Sequence, residues 1–577
     1  MYSDNSNAQL VVALLKEYGI KKVIASPGTT NLTIVGSMQY DSWFTMYSAV
    51  DERSAAYMAC GMAAESNEPV VIVCTGATAS RNYLPGLTEA YYRKLPIVVI
   101  TGSHGEENIG HLHSQSIDRS KTPKDTVRIS VFIDKIRDDK DKWKNVLLIN
   151  KALLELNHHG KGPVHINIEA QASFNFKTKE LPRVRKINRY LLTDRLPELP
   201  DARIAVFIGS HNKMTDNLTK TIDKFCETHN SVVFGDHTSG YKGKYLVNFA
   251  LVAAQIGYYS PLVDIDILIH IGEVSGDTYT TGKLNPKEVW RVNVDGEIRD
   301  LFLKLSSVFE MDELDFFTHY STQKNDNNVS YFKDCDSEYG KFLENIPDLQ
   351  FGNLWIAQDL SRRIPKESVI HFGIFNSLRS WNFFQLDPSI DSYCNVGGFG
   401  IDGPTSTFIG GALTNTAKLH FLIVGDLAFF YDLNSIGNRH ICKNIRILLV
   451  NNGRGVEFRK KDHPGSSFGD DADLYIAAGG HFGNKSHSLV KHIAEDLGFL
   501  YIRASNKEEY RIMIKDFVDT KISDKPIIFE VFPEMKDEVN NIDAIRKIAQ
   551  NNKSIFEKIS DKAKNNFKGI VKIVKQF

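Results

Sequence analysis

The chain has 577 residues, of which 42% are hydrophobic and 24% are charged, and its formal net charge at pH 7 is −1. At roughly 100–200 residues per domain, this length predicts about three domains. The balanced charge gives no reason to expect a polyanionic partner, so a nucleic-acid-binding function is not predicted.

The cysteines and the first residues favour a cytoplasmic protein. Six cysteines are scattered without a Cys-X-X-Cys pair, which is typical of reduced, mostly buried thiols rather than of a zinc site or a disulfide framework. The opening MYSDNSNAQL lacks the basic and apolar segments of a signal peptide. No apolar run approaches the ~20 residues that cross a bilayer, so no membrane partner is expected.

Short apolar runs, taken in chain order, predict the strands in three groups. The first group, between Lys21 and Ile168, is KKVIAS, PVVIVCT, LPIVVIT and GPVHINI. The second, between Arg203 and Val294, is RIAVFIG, SVVFGD, DILIHIG and VWRVNV. The third, between Glu367 and Phe532, is ESVIHF, KLHFLIVGD, NIRILLVNN and KPIIFEVF. Because the runs are apolar on both faces and alternate with helical patterns, they predict buried parallel strands in α/β units.

Polar stretches between these groups predict the domain boundaries. One linker, Lys177–Arg203, is polar and rich in proline, and a second polar stretch lies at His319–Gly340. We predict three α/β domains with mainly parallel sheets flanked by helices, at 1–180, 190–335 and 345–535, followed by a helical C-terminal tail at 536–577. The first and third groups also resemble each other in spacing, which indicates a weak internal repeat.

Polar side chains follow two runs of the third group. Asp426 comes directly after FLIVG, and Asn452 ends the next run. Ligands bind beyond the carboxyl ends of parallel strands, and carboxylate and amide oxygens suit Mg²⁺. Backbone amides around Leu427 and Ala428 could hold phosphate. The alternative is that Asp426 caps a helix and that Asn451 and Asn452 form a turn.

A second acidic residue, Glu52, begins an alanine-rich helical pattern in VDERSAAYMACGMAAES. A carboxylate that enters such a closely packed helix is placed to share a proton with a ring nitrogen. The alternative is an ordinary carboxylate at a helix start, stabilised by the helix dipole.

Together these features resemble a known superfamily. An acidic residue near position 50, a strand followed by CTGATASRNYLPGLTEA, and GD followed later by NN are similar to the thiamine-diphosphate-dependent enzymes related to pyruvate decarboxylase and acetolactate synthase. SPGTTN, VDERSAAYMACGMA, GPVHINI, GIDGPTSTFIGGAL and GDLAFFYDLNSIG resemble the MenD family of 2-succinyl-5-enolpyruvyl-6-hydroxy-3-cyclohexene-1-carboxylate synthases. The resemblance implies a pyrimidine-binding, a middle and a diphosphate-binding domain in that order.

The resemblance also implies roles for individual residues. Glu52 matches the glutamate that bonds N1′ of the aminopyrimidine, and Gln115 matches a glutamine at the reaction centre, although a plain loop amide remains the alternative. Asp426, Asn452 and the carbonyl of Arg454 match the Mg²⁺ ligands. The residues implied to contact thiamine diphosphate are Glu52, Thr78, Asn82, Asn376, Ser377, Gly400, Ile401, Gly425, Asp426, Leu427, Ala428, Asn452, Gly455, Val456 and Phe458.

Departures from the family concern the substrate. MenD enzymes bind 2-oxoglutarate and isochorismate with several arginines, which clamp carboxylates. Thr30, His104 and Val396 stand here at three arginine positions, so we do not expect isochorismate as a substrate. The candidates for substrate contact are Thr30, Arg81, His104, His111, His113, Arg119, Arg379 and Glu457. A solvated loop position is the alternative for the loop residues, and an outward-turned side chain is the alternative for Glu457.

The predicted function is a thiamine-diphosphate- and Mg²⁺-dependent carboligase that decarboxylates a 2-oxo acid and transfers the acyl-anion equivalent to an acceptor, such as an aldehyde or a sugar. The alternatives are a simple 2-oxo-acid decarboxylase, a paralogue that binds the cofactor without catalysis, and a generic nucleotide-binding protein. The last is disfavoured because no Gly-X-Gly-X-X-Gly follows a strand. The resemblance implies a homodimer or homotetramer with active sites at the subunit interface.

Overall fold

The computed structural model describes residues 1–118, 122–169, 173–322, 330–477, 479–481 and 485–552. These residues fall into two compact units, one formed by 1–190 and 296–308, the other by 191–295 and the chain from Phe309 onward. Arg119 and the end of the predicted tail, 553–577, lie outside the described residues. Within the described ranges, every helix is too short or too polar to cross a membrane.

The first unit alternates helices with strands. Its elements are α1 Ser6–Glu17, β1 Lys22–Ala25, α2 Leu32–Gln39, β2 Thr45–Ser48, α3 Glu52–Ser66, β3 Val70–Thr75, α4 Thr78–Asn82, α5 Leu84–Tyr92, β4 Ile97–Ser103, β5 Ser130–Ile133, α6 Asp139–Glu155 and β6 Val164–Glu169. The six strands form one parallel sheet in the order β2-β1-β3-β4-β6-β5.

Both faces of this sheet are buried. Side chains alternate along a strand, so Val71 and Val73 of β3 join a core with helices α1, α2 and α6. Ile72 and Cys74 face the opposite core, which α3 and α5 cover. The apolar run PVVIVCT therefore forms a central strand because helices remove both of its faces from water.

The second unit begins with the middle sheet. The elements up to the third sheet are β7 Asn188–Leu191, β8 Ile204–Ile208, α7 Asp216–His229, β9 Val232–Gly235, β10 Leu246–Val247, α8 Ala250–Ala253, β11 Asp264–Ile271, α9 Thr278–Lys283, β12 Asn285–Val292, β13 Leu305–Glu310, α10 Glu313–Tyr320 and α11 Tyr331–Glu344. Strands β7 and β13 cross the unit boundary. The others run parallel in the order β10-β9-β8-β11-β12.

The third sheet also lies in the second unit. Its elements are α12 Asn353–Leu360, β14 Val369–Phe372, α13 Asn376–Trp381, β15 Asp391–Cys394, α14 Pro404–Thr414, β16 His420–Gly425, α15 Asp426–Tyr431, β17 Ile445–Val450, α16 Ala472–Tyr475, α17 Leu489–Asp496, β18 Leu500–Ala504, α18 Lys507–Phe517, β19 Ile527–Val531, α19 Met535–Arg546 and α20 Ile548–Asn551. The strand order is β15-β14-β16-β17-β19-β18, all parallel.

The predicted α/β class with parallel sheets is confirmed, and each apolar run of the sequence contains a strand. The first and third sheets share one strand order, in which the first two strands are exchanged and the last two are exchanged. The weak repeat in the sequence therefore corresponds to two sheets of the same topology. The three domain boundaries themselves stay a prediction.

Candidate active site

The carboxyl edge of the third sheet brings Asp426 and the Asn451–Asn452 pair together. Strands β16 and β17 are neighbours, with Gly425 opposite Val450, so both polar segments leave the sheet at the same level. Asp426 is only 5% exposed, and the backbone amides of Leu427 and Gly453 lie close enough to its carboxylate to oppose the effect of burial on its pKa. The helix-cap alternative is wrong for Asp426, because Gly425 holds the cap position of α15 and Asp426 begins the helix.

Asn452 keeps an oxygen at this edge. Its Oδ1 accepts a hydrogen bond of 3.2 Å from the backbone amide of Arg454, and an amide oxygen has a second lone pair for another partner. The guanidinium of Arg454 is paired with Asp473 at 2.6 Å. By contrast, the side chain of Asn451 is used within the sheet, where it donates to Glu530 at 2.7 Å.

Three buried acids, Asp426, Glu530 and Glu538, lie near one another at this edge. Burial, with a smaller contribution from the nearby Glu530, raises the pKa of Asp426 to about 7. Burial also raises the pKa of Glu538 to about 7, with Asp426 contributing. Among the residues that the structure describes, the ion pairs include neither Asp426 nor Glu538. Buried acids of this kind are costly to ionise, so the site fits a divalent cation.

A buried amide oxygen lies at the start of α13. Oδ1 of Asn376 is buried and has no hydrogen-bond partner within the described part of the chain, although the Asn376 carbonyl accepts from Asn353 at 2.9 Å. Ser377 beside it is 6% exposed. The preceding Phe375 has a φ of 62°, a region that costs a bulky residue free energy and often marks a functional turn.

Two glycine-containing loops lie at the same edge. Ile401 packs against the core that β16 and β17 share. The ring of Phe399 lies edge-on to that of Phe375, with 5.8 Å between the ring centres. In the other loop, a Cβ on Gly455 would lie 2.9 Å from the Phe458 ring. A side chain at Gly455 would therefore displace Phe458, and Val456 is buried at 3% exposure.

Arg379 and Glu457, two of the candidates for substrate contact, bind each other. Nη1 of Arg379 lies 2.6 Å from Oε2 of Glu457, and Nζ of Lys460 lies 3.0 Å from Oε1 of the same carboxylate. Burial alone would raise the pKa of Glu457, but the charges of Arg379 and Lys460 outweigh burial and lower it. The outward-turned alternative for Glu457 is therefore wrong.

In the first unit, the side chains of Glu52 and Asn82, both candidates for cofactor contact, bind each other. Glu52 is half-buried and begins α3, whose cap is the side chain of Asp51, which accepts from Ser54 at 2.9 Å. The amide of Asn82, at the end of α4, donates to Oε2 of Glu52 at 3.0 Å. Thr78 begins the same short helix and is exposed. The Glu52 carboxylate is thus oriented by a neutral donor.

A pocket of about 140 Å³ in the first unit is lined by both Gln115 and His104. Ser103 and Asn167, from the carboxyl ends of β4 and β6, complete its polar wall. Gln115 has a φ of 59°, which is uncommon for a residue with a side chain. The structure thus brings together two candidates that lie apart in the sequence.

The remaining candidates lie elsewhere in the first unit. Thr30 is buried, and its hydroxyl donates to the carbonyl of Gly102 at 2.7 Å. Arg81 donates to the carbonyl of Asp118 at 3.1 Å. His111 and His113 are exposed and do not line the pocket that contains Gln115 and His104. Among the eight candidates for substrate contact, Arg119 is the one outside the described residues.

Sequence reasoning missed several residues of the site. Glu530 was visible as a charge inside the apolar run KPIIFEVF, a signal for a buried acid with a partner. Glu538 carried no such signal, because it lies in a polar helical pattern that predicts a solvent-exposed helix. Lys460 was equally hidden within FRKKD, where its partner Glu457 could not be identified from spacing alone.

Comparison with known proteins agrees with this geometry. Residues 6–122 match the family model described as "Thiamine pyrophosphate enzyme, N-terminal TPP binding domain". The chain is similar to proteins named 2-succinyl-5-enolpyruvyl-6-hydroxy-3-cyclohexene-1-carboxylate synthase. One from Bacteroides thetaiotaomicron is 33% identical over 92% of this chain and 96% of the relative. One from Bacteroides fragilis (strain YCH46) is 32% identical over 92% and 97%, and one from Flavobacterium johnsoniae is 27% identical over 92% and 97%.

Proposed function

This chain belongs to the 2-succinyl-5-enolpyruvyl-6-hydroxy-3-cyclohexene-1-carboxylate synthase family of thiamine pyrophosphate enzymes, and we propose that it is a carboligase with a different acceptor. It would break the C1–C2 bond of a 2-oxo acid, release CO₂, and join the remaining acyl carbon to an acceptor other than isochorismate. The observation that carries the enzymatic part is the buried Asp426 carboxylate, which lies at the same sheet edge as Asn452 and forms no ion pair with any described residue.

The residues present fit the cofactor in two places. Asp426, Asn452 and the carbonyl of Arg454 would hold Mg²⁺, and Oδ1 of Asn376, which has no partner among the described residues, offers a further polar contact at the same edge. Thiamine pyrophosphate, when bound, supplies an electron sink for the pair that remains after CO₂ leaves. The cofactor class follows from the family, while Mg²⁺ is part of the proposal.

Side chains of the protein would transfer a proton, support the cofactor ring and bind the substrate oxygen. The Glu52 carboxylate, fixed by Asn82, would hold a proton against a ring nitrogen of the pyrimidine. Ile401, anchored on the core, would support the bound ring system by van der Waals contact. Gln115 and His104, which line one pocket, would donate hydrogen bonds to the reacting oxygen of the substrate.

Three observations support an acceptor other than isochorismate. Thr30, at a position where the family has arginine, uses its hydroxyl on the Gly102 carbonyl. Val396, at another such position, is an apolar side chain at 2% exposure. Arg379, a further candidate, is bound to Glu457, a carboxylate that it shares with Lys460. Carboxylates left without partners in a buried site are costly, so a less acidic acceptor, such as an aldehyde or a sugar, fits better.

The proposal includes assembly into a homodimer or homotetramer with active sites at the subunit interface. Light scattering coupled to gel filtration tests this part by itself. A mass of one chain at micromolar concentration, with thiamine pyrophosphate and Mg²⁺ present, would contradict it.

Calorimetry and product analysis test the function. Titration with thiamine pyrophosphate should show binding that requires Mg²⁺, and CO₂ should be released from at least one of pyruvate, 2-oxopentanoate and 2-oxoglutarate. Mass spectrometry should then find an acyl adduct when an aldehyde or keto sugar is present. A free aldehyde in every arm would favour the simple decarboxylase, and an adduct with isochorismate would overturn the proposed acceptor.

A further inference from the structure

Four polar side chains form a hydrogen-bonded chain across the first sheet: Ser130, His165, Thr101 and Asn167. The hydroxyl oxygen of Ser130 lies 2.8 Å from Nδ1 of His165, and that of Thr101 lies 2.8 Å from Nε2. The Thr101 hydroxyl donates to Oδ1 of Asn167 at 2.9 Å. Thr101, His165 and Asn167 are only 1%, 5% and 7% exposed, so these groups depend on one another for hydrogen-bond partners.

Strand pairing places these side chains together. Thr101 of β4 lies opposite Asn167 of β6, and Ser130 of β5 lies opposite His165 of β6. Because β6 lies between β4 and β5 and alternate residues share a face, the four side chains meet on one face of the sheet. Val99, two residues before Thr101, belongs to the apolar core on this face. The polar chain therefore begins where that core ends, toward the carboxyl edge.

The direction of the hydrogen bonds follows from the single proton of the Thr101 hydroxyl. That proton is donated to Asn167, so Nε2 of His165 carries a hydrogen and donates it to the Thr101 oxygen. In the neutral ring Nδ1 is then an acceptor, and Ser130 donates to it. The chain thus holds Oδ1 of Asn167 and fixes the orientation of its amide group.

The amide nitrogen of Asn167 is left for a ligand. Nδ2 has no hydrogen-bond partner among the residues that the structure describes, whereas a buried amide donor normally has one. Asn167 lines the pocket that contains Gln115 and His104, which we call the Gln115 pocket. Thr101 and His165 line a different cavity, of about 50 Å³, so they affect the Gln115 pocket through the side chains that they bind.

The Gln115 pocket offers uncharged hydrogen-bond donors. Its described lining includes the amides of Gln115 and Asn167 and the imidazole of His104, and it contains no lysine or arginine. At about 140 Å³ it is smaller than the roughly 300–1,000 Å³ of typical ligand pockets, so a substrate group that enters it lies near several walls. Neutral donors gathered in this way suit an oxygen on which negative charge develops during the reaction.

We propose that Asn167 is a further catalytic residue, whose amide nitrogen donates a hydrogen bond to the reacting oxygen of the substrate, and that Thr101 is a positioning residue that orients this amide. The inference rests on the proposed function, in which Gln115 and His104 donate to the same oxygen. It adds a third donor to that oxygen and gives the buried polar chain behind Asn167 a role in the reaction.

An isosteric substitution of Asn167 tests the donor. Asn167→Asp keeps the oxygen that accepts from Thr101 and removes only the amide donor. The substrate is whichever of pyruvate, 2-oxopentanoate and 2-oxoglutarate the wild-type enzyme, loaded with thiamine pyrophosphate and Mg²⁺, decarboxylates fastest. At pH 8, kcat for CO₂ release should fall by about 100-fold while KM changes by less than about threefold, because the hydrogen bond strengthens only as charge develops.

Two substitutions of Thr101 test its positioning role. Thr101→Val keeps the shape of the side chain without the hydroxyl, and it should lower kcat by about tenfold with little change in KM. Thr101→Ser keeps the hydroxyl and should retain at least about a third of the wild-type kcat. In the Asn167→Asp background, Thr101→Val should cause no further loss, because no amide donor remains to be oriented.

A matched control and a second variant separate these effects from general damage. Asn217→Asp makes the same change at an exposed position on α7 and should keep the wild-type kcat. The affinity for thiamine pyrophosphate, measured by calorimetry, should stay at the wild-type value in every variant. If Asn167→Asp does not fold, Asn167→Leu removes the donor without placing a charge in the sheet, and the same loss of kcat is expected.

The outcomes distinguish this inference from the proposed function. Lack of thiamine pyrophosphate binding by wild type, or of CO₂ release from every donor, defeats the proposed function and this inference with it. Normal wild-type turnover overturns the catalytic role alone if the Asn167 variants keep kcat within about threefold, or if their loss appears only in KM. Equal losses in Thr101→Val and Thr101→Ser, or a further tenfold loss in the double variant, overturn the positioning role.

Discussion

The side-chain amide of Asn82 donates a hydrogen bond to Oε2 of Glu52, with 3.0 Å between nitrogen and oxygen. The contact joins the last residue of α4 to the first residue of α3. The hydrogen bond uses only Oε2, so it orients the carboxylate and leaves Oε1 for a ligand. This arrangement is suited to a group that exchanges a proton with a ligand.

Replacing Glu52 by Gln should therefore lower kcat by at least about 100-fold, the usual size of a proton-transfer contribution. Thiamine pyrophosphate binding, measured by calorimetry, should change far less, because the amide keeps the shape and a hydrogen-bonding oxygen. Glu65→Gln, on the exposed far end of the same helix, is the control and should retain wild-type kcat. A kcat within threefold of wild type in Glu52→Gln would contradict the assigned role.

The central strands could be predicted from the sequence, and the edge strands could not. β3, β4, β16 and β17 are apolar on both faces because helices cover both sides of their sheets. In the first and third sheets the overlooked strands are β2, β5, β15 and β18, which are the outermost ones, while in the middle sheet β7, β10 and β13 were overlooked. For the first and third sheets the reason is exposure. Each of these outermost strands has exposed or half-buried positions, so its sequence carries no continuous apolar signal.

The candidate site was predictable where side chains follow a strand end. Asp426 and Asn452 were found because strand order brings the carboxyl ends of β16 and β17 side by side. The Arg379–Glu457 pair was not, because its partners are 78 residues apart and pairing depends on two loop conformations. Loop geometry is set by tertiary packing, which single-sequence patterns do not record.

Asp426→Asn should weaken binding of the cofactor without lowering the thermal stability of the cofactor-free protein. Burial raises the pKa of Asp426 from 3.8 to about 7, so in the cofactor-free protein the proton on Asp426 stabilises the folded state below pH 3.8, and this stabilisation is lost as pH rises through 7. At pH 8 the variant's Tm should equal or exceed that of wild type without ligand. The increase in Tm that Mg²⁺ and thiamine pyrophosphate give wild type should be lost, because a neutral amide binds the cation weakly.

The control for this measurement is Asp496→Asn, at the exposed end of α17. It should keep the full ligand-induced increase in Tm. Chelation of divalent metal from wild type should reproduce the loss seen in Asp426→Asn. Undiminished stabilisation by thiamine pyrophosphate after chelation would argue against a metal at Asp426.

Two substitutions of Gln115 distinguish a role of its side-chain amide from a role of its backbone conformation. Its φ of 59° favours glycine, so Gln115→Gly relieves strain while removing the amide, and Gln115→Ala keeps the strain. If the amide contacts the substrate, both variants should lose about 10- to 100-fold in kcat/KM with thiamine pyrophosphate affinity preserved. A loss confined to the glycine variant would assign Gln115 a conformational role only, because alanine keeps the constraint on the backbone.

Glu338 predicts a pH-dependent stability that is independent of the active site. It is buried on α11, where its two oxygens accept hydrogen bonds from Tyr258 at 2.5 Å and Ser260 at 2.7 Å. Burial raises its pKa from 4.5 to about 6, despite these bonds. The folded state therefore binds the proton more tightly than the unfolded state, and this stabilisation is complete below pH 4.5 and lost as pH rises through 6.

Glu338→Gln should remove that dependence, because the amide oxygen still accepts one hydrogen bond and the Ser260 hydroxyl can turn to accept from the amide nitrogen. The stability of the variant relative to wild type should increase by about 2 kcal/mol between pH 4.5 and pH 7.5, or several degrees in Tm. Glu344→Gln, at the exposed end of the same helix, should show no such trend. A Tm difference between Glu338→Gln and wild type that stays constant across this range would mean that Glu338 titrates normally in the folded protein.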